Sequence, residues 1–177
     1  NIAIAEYGNS YYDDISGNWA ESSINNIAAK LNLKSIEGSS FKPNKNMSLG
    51  EAVKLMLDVM NVNYGNDYMI MASRSKIITE DEISKQGDNC TREKAIAMIC
   101  RLYEIKTGKS GKLSSLSNSG YKDIYTVSQK YAKEVNFAIQ NGIVTKRGSD
   151  YLNPLGAVTR GEAAAMIEKL LVLTGEL

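Results

Sequence analysis

The residues best suited to chemistry in this chain are Thr159-Arg160-Gly161-Glu162. Thr159 is a good helix N-cap, and Glu162 three residues later completes a capping box. Arg160 then falls in the first turn, where the helix dipole disfavours a cation. A guanidinium beside helix N–H groups suits an incoming anion, above all a carboxylate, whose two oxygens match the planar donor fork. Two other segments have the same form. Thr91-Arg92-Glu93-Lys94 keeps the arginine but has lysine at the box position, and Ser48-Leu49-Gly50-Glu51 keeps the box but has leucine for the arginine.

Other chemistries are restricted by what the chain lacks. It has no histidine, which removes imidazole acid–base catalysis, Ser-His and Cys-His nucleophiles and the commonest zinc ligand. Paired carboxylates of the glycosidase kind are not evident, because Glu80-Asp81-Glu82 reads as a solvated turn and helix start. No catalytic residue, metal ligand or cofactor site is therefore assigned. A net charge of +1 argues against nucleic-acid binding by bulk electrostatics. No apolar run approaches the about 18 residues of a membrane span. Cys90 and Cys100, one before and one inside a helix, are too far apart for a disulfide, so both are expected as free thiols, Cys100 in a core and Cys90 partly exposed. The chain begins without a full signal peptide, and Ala3-Ile4-Ala5 has the form of a cleavage-site remnant.

These helix starts must be positioned by a repeat. Tyr12-Asp13-Asp14-Ile15 followed by Trp19-Ala20 is echoed by Tyr121-Lys122-Asp123-Ile124 followed by Tyr131-Ala132. Each leads into a helix-period apolar pattern: Ile24, Ile27, Ala28 and Leu31 in the first, Val135, Ala138 and Ile139 in the second. A polar loop with an aromatic and a proline comes next, Phe41-Lys42-Pro43-Asn44 matched by Tyr151-Leu152-Asn153-Pro154, and then the capped helix. An eroded copy lies between them. It has a helical pattern from Tyr68 to Ile78 and a second helix from Thr91, but neither the aspartate motif nor the loop proline. The units are 1–62, 63–106 and 119–177, with a flexible Ser/Gly/Lys-rich linker over 107–118. Two amphipathic helices cannot cover each other's apolar faces, so the three units are expected to share one core. Met-rich stretches such as Leu55 to Met60 are read as filling that core.

Order and spacing together resemble the S-layer homology (SLH) family, whose repeats run F-x-D, W-A, a helix, G-I-V, F-x-P and T-R-A-E. The third unit carries the resemblance through Asp123, Ala132, Gly142-Ile143-Val144, Pro154 and Thr159 to Glu162, and the first through Asp14, Trp19-Ala20, Phe41, Pro43 and Glu51. The resemblance implies an all-α fold, three two-helix repeats in a pseudo-threefold trimer around a central three-helix bundle, with a groove between each pair of repeats. It also implies a secreted, non-enzymatic module that anchors a larger surface protein to the bacterial cell wall. The implied partner is a secondary cell wall polysaccharide ending in a pyruvylated amino sugar, with Arg160 and Arg92 contacting the pyruvate carboxylate. Thr159, Thr91, Trp19, Tyr131, Asp14 and Asp123 complete the candidate set. For the threonines and aspartates the competing reading is a structural cap or turn, for Trp19 and Tyr131 burial between repeats, and for the arginines a salt bridge to a neighbouring repeat. Leu49 predicts a first groove without its anion contact, and Lys146 a crowded third one. A protein-binding scaffold that kept the fold and lost the saccharide is the alternative function.

Overall fold

A computed structural model describes residues 11–115, 119–146 and 149–177; Ala3-Ile4-Ala5 lies outside these. Six α-helices form among the described residues: α1 (Glu21–Lys30), α2 (Leu49–Val59), α3 (Tyr68–Arg74), α4 (Arg92–Thr107), α5 (Ala132–Gln140) and α6 (Arg160–Thr174). The fold is all-α, as expected. Short 3₁₀ segments sit at Glu80–Lys85, Ile124–Thr126 and Gln129–Tyr131.

The second helix of each unit is interior and the first lies outside it. α2, α4 and α6 are apolar over most of their circumference. Val53, Leu55, Met56 and Leu57 on α2, Ile96, Ile99 and Leu102 on α4, and Ala164, Ile167, Leu170 and Leu171 on α6 are all sealed from solvent. α4 packs against both α2 and α6. Each outer helix then covers the inner helix of a different unit: α1 lies on α6, α3 on α2 and α5 on α4. Every unit thus depends on another to bury its apolar face, and the chain's two ends are joined by the contact of α1 with α6. Met47, Met56, Met98 and Met166 are buried in this shared core, as their expected gap-filling role requires.

Several local features differ from the sequence expectations. The helix anticipated from Tyr68 to Ile78 stops at Arg74, because Lys76 adopts a left-handed φ of 63° and the Ile77 and Ile78 N–H groups turn back to the Ala72 carbonyl. Gly142-Ile143-Val144 does the same at the end of α5, with φ of 69° at Gly142 and N–H bonds to Ala138. Lys76-Ile77-Ile78 is therefore the middle unit's version of that turn. The stretch read as a flexible linker is, in its described part, a packed connection. Thr107 is the last residue of α4, and Gly108 caps it at a φ of 69°. Gly111 passes so close to the Cys100 carbonyl that a Cβ would clash with its oxygen, and the Leu113 N–H bonds to the Lys133 carbonyl. Both cysteines are free, but Cys90 is fully buried rather than partly exposed, and burial pushes its thiol up to about 12.

The three helix starts are not equally capped. Ser48 and Thr159 make complete capping boxes with Glu51 and Glu162. Thr91 makes none: its hydroxyl is buried without a hydrogen-bond partner, and Lys94 cannot return a bond as an acceptor. Thr159→Val should therefore cost about 1 kcal/mol of stability, while Thr91→Val, which removes an unsatisfied buried hydroxyl, should be neutral or stabilising. Urea midpoints measure both; equal losses would contradict the assignment.

Candidate functional site

The site grows from the residues just before the three N-caps. Met47 N–H bonds to the Val158 carbonyl, Val158 N–H to Cys90, and Cys90 N–H to Met47, at 2.9, 2.9 and 3.0 Å. These bonds close a triangle on the pseudo-threefold axis, with all three residues buried. Next to it, the first two N–H groups of each inner helix donate to a loop of another unit. Leu49 and Gly50 bond to the Asp88 and Gln86 carbonyls, Arg92 and Glu93 to Gly156 and Pro154, and Arg160 and Gly161 to Lys45 and Pro43. The helix N–H groups expected to help hold an anion are thus already used in joining the units. Gln86 stands where the other loops have proline, because a carbonyl is all the contact needs.

Side chains follow the same rotation. Arg92 Nη1 is 2.7 Å from Glu162 Oε1, and Arg160 Nη2 is 3.2 Å from Glu51 Oε1, while Arg160 Nη1 also donates to the Phe41 carbonyl at 3.0 Å. The cation of one helix start thus pairs with the capping-box glutamate of another. Glu51 is partly desolvated, which favours its neutral form. Hydrogen bonds from Lys45, the Ser48 N–H and Arg160 outweigh that and bring its carboxyl from 4.5 down to about 2. In the third copy of this arrangement the partners would be positions 49 and 94, which are leucine and lysine. This interface thus has neither the arginine nor the carboxylate of the other two. Leu49 is buried, and Lys94 lies 3.9 Å from Glu82 instead. The nearby lysines are engaged elsewhere: Lys45 pairs with Glu51, and Lys54 lies over the Tyr68 ring.

The aspartates hold loops. Asp14 accepts the N–H groups of Phe41 and Lys42, and Asp123 those of Leu152 and Asn153, all at 2.7–2.8 Å. Lys42 and Asn153 both take left-handed backbone, with φ of 57° and 54°, and one carboxylate spanning two successive N–H groups fixes that conformation. This also corrects the register of the repeat. Leu152, not Tyr151, is the counterpart of Phe41: both are buried, whereas Tyr151 is exposed.

Trp19 and Tyr131 part company. Tyr131 is buried and donates to Glu82 Oε1 at 2.8 Å; burial and the adjacent carboxylate raise its phenol pKa. Glu82, expected in a solvated cluster, is only 3% exposed and also accepts from Thr79. Glu93 is likewise buried and holds Ser128 by its N–H and hydroxyl. Glu82 closes a capping box with Thr79, a T-x-x-E pattern legible in the sequence, whereas only tertiary contact distinguishes Glu93 from a surface acid. Trp19 instead remains 51% exposed, on the wall of a cleft of about 710 Å³. Asn44, Tyr121, Lys146, Tyr151 and Asn153 line the cleft too, together with Arg92, Thr159 and Glu162. Lys146 is drawn to Asp150 at 2.9 Å and stands over the Tyr121 ring. Arg160, Thr91, Tyr131, Asp14 and Asp123 do not line this cleft.

The model of the S-layer homology domain matches residues 11–53 and 120–164, the first and third units of this ring. The chain belongs to the S-layer homology family. The SLH domain is a cell-wall anchoring module. The chain is 26% identical over 182 residues to an amylopullulanase of Thermoanaerobacterium thermosulfurigenes, covering 94% of itself and 10% of that protein. It is also 26% identical over 176 residues to the exoglucanase XynX of Acetivibrio thermocellus, covering 90% of itself and 16% of that protein. No helix among the described residues is long and apolar enough to cross a membrane.

If Leu49 and Lys94 are a matched loss, restoring one charge should destabilise and restoring both should recover. In a cycle of Leu49→Arg and Lys94→Glu, each single variant should lower the urea midpoint. The double should show a favourable coupling of about 1 kcal/mol or more. Additive losses would mean that the two positions do not face each other.

Proposed function

We propose that this SLH module attaches a larger secreted surface protein to the bacterial cell wall by binding a secondary cell wall polysaccharide that ends in a pyruvylated amino sugar. The observation that supports this most is the cleft: an exposed indole and two tyrosines around a largely buried arginine. Aromatic faces pack against the apolar C–H patches of a sugar ring, and a guanidinium fork takes a carboxylate. Arg92 would receive the pyruvate carboxylate, with Trp19 and Tyr151 against the saccharide.

A second reading, a protein-binding scaffold of the same fold, is favoured by the neutral Leu49 and by the commitment of Arg160 to Phe41 and Glu51. Sedimentation with purified cell walls separates the two. The chain should pellet with intact walls and stay in the supernatant once the secondary polysaccharide has been removed. Pelleting that survives removal would favour the scaffold.

A further inference from the structure

We infer that the ring of three equivalent helix starts carries a single acidic-saccharide site, at Arg92, and that Arg160 is a clamp joining the last unit to the first. This rests on the reading that the chain binds a carboxylate-bearing saccharide, and it assigns that activity to one interface of three.

The three positions are related by one rotation, so their differences are informative. At position 49 there is no cation, and the leucine is 1% exposed. At position 160 the guanidinium is spent: Nη1 holds the Phe41 carbonyl and Nη2 holds Glu51, which is itself shared with Lys45. A ligand carboxylate there would have to displace a backbone acceptor from the loop that Asp14 also fixes. That loop takes the Arg160 and Gly161 N–H groups as well, so the cost falls on the contact between the ends of the chain. At position 92 the guanidinium meets Glu162 through Nη1 and lines the cleft. Its Nε is buried with no hydrogen-bond partner, although the side chain is only 10% exposed. Arg160 Nε is unpartnered too, so that atom alone does not separate the sites. What separates them is that Arg92 lines the cleft of Trp19, Tyr121 and Tyr151, whereas Arg160 holds a backbone carbonyl. Trp19 comes from the first unit, Arg92 from the second and Tyr151 from the third, so the site is complete only when the ring is closed.

The chain's own Leu49 and Lys94 supply the variants. Arg160→Leu with Glu51→Lys, and Arg92→Leu with Glu162→Lys, each place that uncharged-and-cationic combination at another interface. Calorimetric titration uses 4,6-pyruvylated N-acetylmannosamine as the probe, with thermal melting to establish that each variant is folded. One saccharide should bind per wild-type chain, the Arg160/Glu51 variant should bind as wild type does, and the Arg92/Glu162 variant should lose affinity by about tenfold or more. Two or three saccharides per chain would overturn the inference while leaving the saccharide reading intact. So would an equal loss of affinity in a folded Arg160/Glu51 variant. A wild-type chain that binds none of the probe would overturn both. If either double variant fails to melt cooperatively, Arg92→Lys and Arg160→Lys make the same comparison, because lysine keeps the charge and loses the fork. Weakening by Arg92→Lys alone supports the single site, and equal weakening by both contradicts it.

Discussion

The triangle of backbone bonds among Met47, Cys90 and Val158 is the constraint on which the rest of the structure depends. A peptide N–H sealed from water costs about 1–3 kcal/mol when unpaired. None of these three is paired within its own unit. Each unit supplies one donor and one acceptor, so a missing unit leaves both kinds of group exposed in what would be the core. The same logic covers the helix starts, whose first N–H groups have no partner within their own helix. Loops of other units satisfy them, and this fixes the distance and rotation between units more tightly than apolar contact alone could.

The positions that join the units are also those proposed for recognition. An arginine in the first turn of an inner helix can pair with a glutamate across the interface or meet a carboxylate from outside. Arg160 illustrates the first use and Arg92, beside an open cleft, has room for the second. Removing such a cation alone would leave a partly buried carboxylate without its partner. The chain shows the alternative, in which Leu49 and Lys94 replace both members and Lys94 turns to Glu82. An interface of the ring can thus be built without the arginine–glutamate pair.

What the sequence made legible was local. Capping boxes at Ser48 and Thr159, the repeated aspartates and the apolar stripes of the inner helices all act within a few residues, and their spacing is enough to find them. Three things were hidden because they belong to tertiary contact or to the backbone. The partners of Arg92 and Arg160 lie 70 and 109 residues away in the chain. Gln86 replaces a proline and Lys76 a glycine, because a carbonyl and a φ angle carry those roles and residue identity does not. The aromatic match of Tyr151 to Phe41 was out by one position, since two adjacent candidates, Tyr151 and Leu152, could each fill the buried place. Burial, which the sequence does not state, chose Leu152.

Native-state hydrogen exchange at the amides of Met47, Cys90 and Val158 tests most directly whether the units stand or fall together. If the triangle closes one cooperative ring, all three amides should exchange only through global unfolding, with equal free energies that match the stability from denaturation. Exchange of any one of them at a free energy well below the others would mean that a unit opens alone, and that the ring is not what holds the interfaces in place.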